Sequence, residues 1–149
     1  MLKLILSVLY LVACLTALPA LAEGDVIGFV KTADGDATIV DSGKIIKAKP
    51  GVPLYIGSLL KTGDEGSLGV TFKDNTVMSF GPDTEVTVDE YLYAPAKGDL
   101  KLVASIAKGT LHYISGVIAK LKPEAVAVKT PTGIIGVRGT HFLVKAEEE

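Results

Sequence analysis

The segment from Ser67 to Phe80 constrains the fold more than any other. Leu68, Val70 and Phe72 alternate with Ser67, Gly69 and Thr71, a period of two that puts the apolar side chains on one face of a strand. Lys73-Asp74-Asn75 then forms a tight turn, since Asp and Asn tolerate the left-handed region. Thr76 to Phe80 returns with Met78 and Phe80 on a common face. This stretch predicts a β-hairpin with one buried side.

Short apolar runs between turn signals continue along the chain. Val26 to Lys31 is followed by Ala33-Asp34-Gly35-Asp36, where Asp-Gly between apolar runs marks a hairpin. Ala37 to Val40 and Lys44 to Ala48 flank Asp41-Ser42-Gly43, and Pro50-Gly51 opens a loop. Gly57 to Lys61 is a short strand before the turn at Thr62 to Gly66. Gly81-Pro82-Asp83 breaks the chain again, Val86, Val88 and Tyr91 to Tyr93 form a strand, and Ala94 to Gly98 is a loop. Leu100, Leu102, Ala104 and Ile106 alternate over the next strand. Val126 and Val128 begin the last sheet segment. Strands at roughly ten-residue intervals predict an all-β fold: one domain of many short strands, as a β-sandwich, roll or solenoid-like stack. No exact internal repeat is present.

One interruption is expected. Ile114, Val117, Ile118 and Leu121 recur at helical spacing, with Ser115 early and Pro123 as a stop. They predict a short helix over 114–121, the only one in the domain.

Composition narrows the function. The chain has 149 residues, 48% hydrophobic and 21% charged, the balance of one globular domain. Residues 1–22 read as a signal peptide. Lys3 supplies the positive charge, Leu4 to Leu18 the apolar core, and Ala20-Leu21-Ala22 the cleavage pattern, leaving a mature domain at 23–149. A competing reading takes Leu11-Val12-Ala13-Cys14 as a lipobox, with lipidation at Cys14; a retained anchor is a third. Without Lys3 the mature part has 14 basic and 17 acidic groups, a net charge of −3. That balance argues against a nucleic-acid partner or an anionic membrane surface, and no membrane span is expected after leader cleavage. Cys14 is the one cysteine, so the mature domain has no disulfide and no thiol nucleophile.

Enzymatic chemistry finds little support, and no cofactor or metal site is expected. The only histidines, His112 and His141, read as partly exposed strand residues, and a catalytic pair would need a positioned partner. No GxSxG, HExxH or phosphate loop occurs. Asp34, Asp36 and Asp41 read as turn residues and not as a calcium site. Asp64-Glu65 and Asp89-Glu90 are sequence neighbours, which point to opposite sides of a strand.

The most distinctive stretch runs from Lys129 to Val144, KTPTGIIGVRGTHFLV. It holds Arg138, the only arginine among fifteen basic residues, with Gly133, Gly136 and Gly139 around it. Pro131 holds Thr130 extended. Thr140 to Val144 are good strand formers, with Phe142 and Val144 on one face. The residues suggest a bend, a buried or half-buried arginine that ties it to a neighbouring strand, and a closing strand. The alternative role for Arg138 is to bind an anionic ligand or partner through its planar fork.

Thr130-Pro131, then Gly136-Val137-Arg138-Gly139-Thr140 and Phe142, resembles the ending of the FecR domain. Gly57-Ser58-Leu59-Leu60-Lys61-Thr62-Gly63, Gly66-Ser67 and Lys73-Asp74-Asn75-Thr76 resemble its middle block, with Ser58 at an aspartate position and Asn75 at a glycine position. Lys108-Gly109-Thr110-Leu111 resembles the strand before the ending, so the resemblance runs from about Val26 to Val144. In the family's transmembrane regulators this domain lies outside the inner membrane and relays a receptor signal towards a cytoplasmic sigma factor. The chain shows no cytoplasmic segment ahead of the leader and no docking domain beyond Glu149, so a complete transmembrane regulator is not expected. The resemblance implies a periplasmic or secreted module that binds or senses, with another envelope protein as partner. The alternative is a structural or adhesion-type envelope protein without a signalling role.

Overall fold

The computed structural model describes residues 24–139 and 141–147. The predicted leader at 1–22, its Cys14 alternative and Thr140 lie outside the described residues. Twelve strands form one branched, curled sheet. They are β1 (Gly28–Asp34), β2 (Ala37–Asp41), β3 (Lys44–Lys47), β4 (Pro53–Leu54), β5 (Leu59–Thr62) and β6 (Ser67–Phe72). After them come β7 (Val77–Phe80), β8 (Glu85–Ala94), β9 (Asp99–Ile114), β10 (Val126–Thr130), β11 (Gly133–Gly136) and β12 (His141–Ala146). Among the described residues there is one α-helix, α1 (Val117–Leu121), followed by a 3-10 turn at Pro123–Ala125; another 3-10 turn, Pro95–Lys97, joins β8 to β9.

The 16-residue β9 is the spine. Along one side its first half pairs with β8 and its last residues pair with β7, both antiparallel. Along the other side it pairs in parallel with β10 and then antiparallel with β12. From β8 the sheet continues through β5 and β2 to β3; from β7 it continues through β6 and β1 to β4. The two wings curl over one core. Ile39, Leu60, Val86, Val88, Leu102 and Ile106 come from the first wing, and Val30, Val70, Phe72, Met78, Leu111 and Tyr113 from the second. Side chains alternate along a strand, so β2, β5, β6, β7 and β8 each give this interior alternate residues.

The inward face of β9 changes parity along its length. Leu102, Ala104 and Ile106 point into the core, and then so do Leu111 and Tyr113. The register against β8 shifts where Val86 pairs with Ile106 and Glu85 with Lys108, leaving Ala107 as an extra residue. Gly109 follows with φ +96, and a Cβ there would lie 2.4 Å from Thr84 Cα. Only glycine fits this bulge. The bulge lets one strand serve both wings.

The all-β expectation holds, and the sheet is a curled roll. The hairpin at Lys73 to Asn75 forms as expected, with Asn75 left-handed at φ 66. The helix is shorter than 114–121. Ile114 ends β9 as an exposed strand residue, and Gly116 precedes the first helical residue. Ile118 and Ala119 are buried, whereas Leu121 is 62% exposed. Residues 133–136, read as part of a bend, form the short strand β11 paired with β10.

Asn75→Gly is expected to be neutral or mildly stabilising. Asn75→Val is expected to cost about 1 kcal/mol or more, because a β-branched residue resists positive φ. Urea midpoints of the two variants and the wild type check this.

Candidate functional site

The polar centre of the molecule lies at the β6–β7 hairpin. Asp74 is fully buried. Its Oδ1 accepts hydrogen bonds from the Tyr91 hydroxyl at 3.0 Å and from the Thr76 amide at 3.3 Å. Its Oδ2 accepts from the Thr76 hydroxyl at 2.7 Å and from the Ile118 amide at 3.1 Å. The Asp74 amide donates back to Tyr91 Oη, and its carbonyl accepts from the Val117 amide at 2.8 Å. One residue therefore joins the hairpin, strand β8 and the start of α1. Gly116 allows this approach, since a Cβ there would lie 2.3 Å from the Thr76 amide nitrogen.

This centre shifts its phenols. Burial, reinforced by the Asp74 charge, raises the Tyr91 pKa far above its usual value. Burial pushes Tyr113 up to about 12, with Thr76 as an opposing hydrogen-bonding neighbour and Asp74 adding to the rise. The Tyr113 hydroxyl is buried without a hydrogen bond of normal geometry. These groups hold the fold together, and none opens to a substrate. Sequence reading treated Asp74 as an ordinary turn residue. The Thr two residues later, which closes an Asx-type turn, was the available signal.

The Lys129 to Val144 stretch divides into two sets. One set supports the fold. Thr130 Oγ1 accepts from the Thr132 and Gly133 amides and closes the β10–β11 turn. Val137 is buried, the Gly139 carbonyl accepts from Ser115 Oγ at 2.9 Å, and Phe142 stacks on Tyr113 with ring centroids 4.8 Å apart. The other set faces solvent: Pro131, Ile134 (70% exposed), Gly136 and Arg138. The expectation of a buried or half-buried Arg138 is thus corrected. Its guanidinium is exposed, and among the described residues it makes no hydrogen bond or ion pair. Val137 is buried and Arg138 beside it is exposed. Nothing lies within 4 Å of a Cβ built at Gly133 or Gly136, so packing does not demand these two, whereas Gly139 sits at φ +110, which favours glycine.

Among the described residues β11 is also a free edge, paired with β10 alone. The other free edges differ from it. β3 sets Lys44 and Lys47 around its isoleucines, β12 carries Lys145, and β4 is two residues starting with Pro53. Lysine and proline discourage a strand from pairing with another chain. β11 reads Gly-Ile-Ile-Gly, carries no charge, and leads directly into exposed Arg138. It is an edge without a charge of its own, with the exposed Arg138 two residues beyond its end.

His112 and His141 are both exposed on the outer sheet face. Asp89 accepts a hydrogen bond from Ser105, and Glu90 pairs with Lys101 at 3.2 Å. Among the described residues no group of three or more His, Cys, Asp or Glu is placed to hold a metal ion. Among them, too, no helix is long and apolar enough to cross a membrane.

A family model described as FecR protein matches residues 58–149. The match starts at Ser58, so β1 to β4 precede it, although β1 and β2 pair with β6 and β5 inside it. No curated protein and no solved structure matches the chain.

Asp74→Asn places an amide where Oδ2 accepts two hydrogen bonds, and is expected to cost about 3 kcal/mol in urea unfolding. A midpoint equal to wild type would show that the carboxylate is dispensable. The phenols set a pH dependence. Tyrosine ionises near 10 in the unfolded chain and near 12 at folded Tyr113. Within that window the unfolded chain has released protons that the folded chain retains, so stability is fully present below about pH 10 and falls as pH rises through it. Tyr113→Phe is expected to flatten part of that alkaline loss, measured as urea midpoints from about pH 9 to 11.

Proposed function

The chain belongs to the FecR family, and we propose that it acts as a non-enzymatic exported module of the bacterial cell envelope that binds or senses another envelope protein. The family is associated with the cell envelope and with signal transduction. The observation that carries the reading is the exposed segment from Gly133 to Arg138. It is a charge-free strand edge that ends in the chain's only arginine, held on a rigid frame. Edges of this kind accept a partner strand through main-chain hydrogen bonds. A guanidinium beside such an edge recognises a carboxylate by paired hydrogen bonds.

On this reading the domain works after leader removal, in the periplasm or outside the cell, with no covalent chemistry of its own. Arg138 belongs to the contact surface. Arg138→Ala and Arg138→Lys are then expected to unfold within about 0.5 kcal/mol of wild type, as exposed substitutions usually do. A photo-crosslinking residue at Ile134 is expected to trap a discrete partner in intact cells, and Arg138→Ala to abolish that adduct. A receptor or signalling protein in the adduct supports sensing, whereas an envelope scaffold supports the structural alternative. Loss of stability in both arginine variants, with the adduct retained, would return Arg138 to a fold-holding role.

A further inference from the structure

On the partner-binding role proposed above, we infer that the strand accepted by β11 is acidic and carries one large apolar side chain, which lies across Gly136 onto Ala127 and Val103. Gly136 pairs with Ala127 on β10, Ala127 with Val103 on β9, and Val103 with Glu90 on β8. Directly paired residues share a face, so these four form one row running inward from the free edge. The row lies on the outer face, opposite buried Val128, and exposed Ile134 shares that face. Its first position has no side chain, and a Cβ built there meets nothing within 4 Å. The row is therefore open from the edge to a groove of about 440 Å³ lined by Val103, Ala125, Ala127 and Ile134. A side chain set opposite Gly136 on an added strand lies over the glycine and into this groove. Aromatic residues cover edge glycines on neighbouring strands in the same way. Main-chain hydrogen bonds to β11 supply affinity, and the groove supplies the choice of side chain.

The charges around the row select the occupant. Lys101 and Glu90 pair with each other at 3.2 Å, which leaves Lys122 and Lys129 at the groove against Glu124. Both lysines are exposed, and among the described residues no ion pair holds either. Arg138 adds a third exposed cation two residues beyond Gly136. Side chains two positions to either side of the one at Gly136 share its face on the added strand. One stands across from Ile134 and the other near Arg138. Ile134 pairs with Lys129, and neighbouring strands lie roughly 4.7–4.9 Å apart, so a glutamate across from Ile134 comes within reach of the Lys129 ammonium. A second copy of this chain is a poor occupant, because a two-fold contact sets the same patch, and so the same cations, against itself.

Fluorescence anisotropy with the labelled peptide Thr-Glu-Thr-Phe-Thr-Glu-Thr tests this on the protein as isolated from cells. Saturable binding that weakens as salt rises is expected. Exchanging the peptide's phenylalanine for alanine, or its glutamates for lysines, is expected to lower affinity about tenfold or more. Gly136→Val fills the open position and Lys129→Glu reverses a charge. Each is expected to lower affinity about tenfold, with a urea midpoint close to wild type because both positions are exposed. Should Gly136→Val fail to fold, the peptide exchanges still decide. Equal binding of the phenylalanine and alanine peptides would overturn the inference, as would a folded Gly136→Val that binds like wild type. So would preference for the lysine peptide, binding to anionic lipid vesicles in place of the peptide, or dimerisation of the chain through β11. The photo-crosslinking residue at Ile134 separates this inference from the role it rests on. An adduct retained in Gly136→Val cells removes the side-chain choice and leaves edge binding standing, whereas no adduct with the wild-type edge removes both.

Discussion

The fold depends on keeping one carboxylate away from water. A buried ionised group carries a penalty of several kcal/mol unless donors surround it. Asp74 has them: a phenol, a hydroxyl and two backbone amides converge on its two oxygens. Each donor comes from an element that needs fixing. Tyr91 anchors β8 to the opposite wing, and Phe72 stacks on its ring at 5.5 Å. The Ile118 and Val117 amides belong to a five-residue helix that is far too short to persist alone. The helix exists because an acceptor waits at its start. The carboxylate thus ties the hairpin, the strand and the helix to one point.

Away from Asp74 the two wings are joined by hydroxyls at the β9 bulge. Thr62 Oγ1 donates to the Gly81 carbonyl at 2.6 Å and accepts from the Thr84 amide at 3.0 Å. Thr84 Oγ1 in turn accepts from the Thr110 amide at 3.0 Å. These bonds lie where β9 changes parity, the place where ladder hydrogen bonds are interrupted. Bulges leave backbone groups unpaired, and short buried hydroxyls replace the missing partners. The result is a rigid frame from the Asp74 centre to the end of β9, where Ser115 holds the Gly139 carbonyl. The exposed Arg138 segment is thus fixed at one side by that bond and at the other by the Thr130 turn.

What the sequence made legible follows from local chemistry. Alternation in Ser67 to Phe72 and the αL preference of Asn75 depend only on neighbouring residues, so both were readable. The role of Asp74 is not legible, because a turn aspartate looks the same in sequence whether water or Tyr91 meets it. Ile114 was placed on the helix because its spacing to Val117, Ile118 and Leu121 fits a helical stripe, but β-pairing with Val77 and His141 claims it instead. The strand at Gly133–Gly136 was missed because its bounding glycines read as a bend. The apolar neighbours of Arg138 suggest a buried or half-buried side chain. Yet Ile134 among them is itself exposed, and edge position is a property of topology that no periodicity records. The open row from Gly136 to Val103 likewise exists only once β11, β10 and β9 have been laid side by side.

Magnitudes indicate the kind of contact the β11 edge suits. A strand laid along four residues gains a few backbone hydrogen bonds, each with a net value of about 0.5–1.5 kcal/mol. Covering Ile134 adds roughly 1.5–3 kcal/mol, and a charge-assisted pair at Arg138 adds about 1.5–3 kcal/mol before its entropy cost. Association itself costs at least about 4 kcal/mol in lost freedom. The surplus is that of a transient complex, formed and released readily, and not of a permanent assembly. Lysines on β3 and β12 meanwhile discourage the longer pairings that would make the domain polymerise. A charge-guarded sheet with one short open edge is suited to reversible contact.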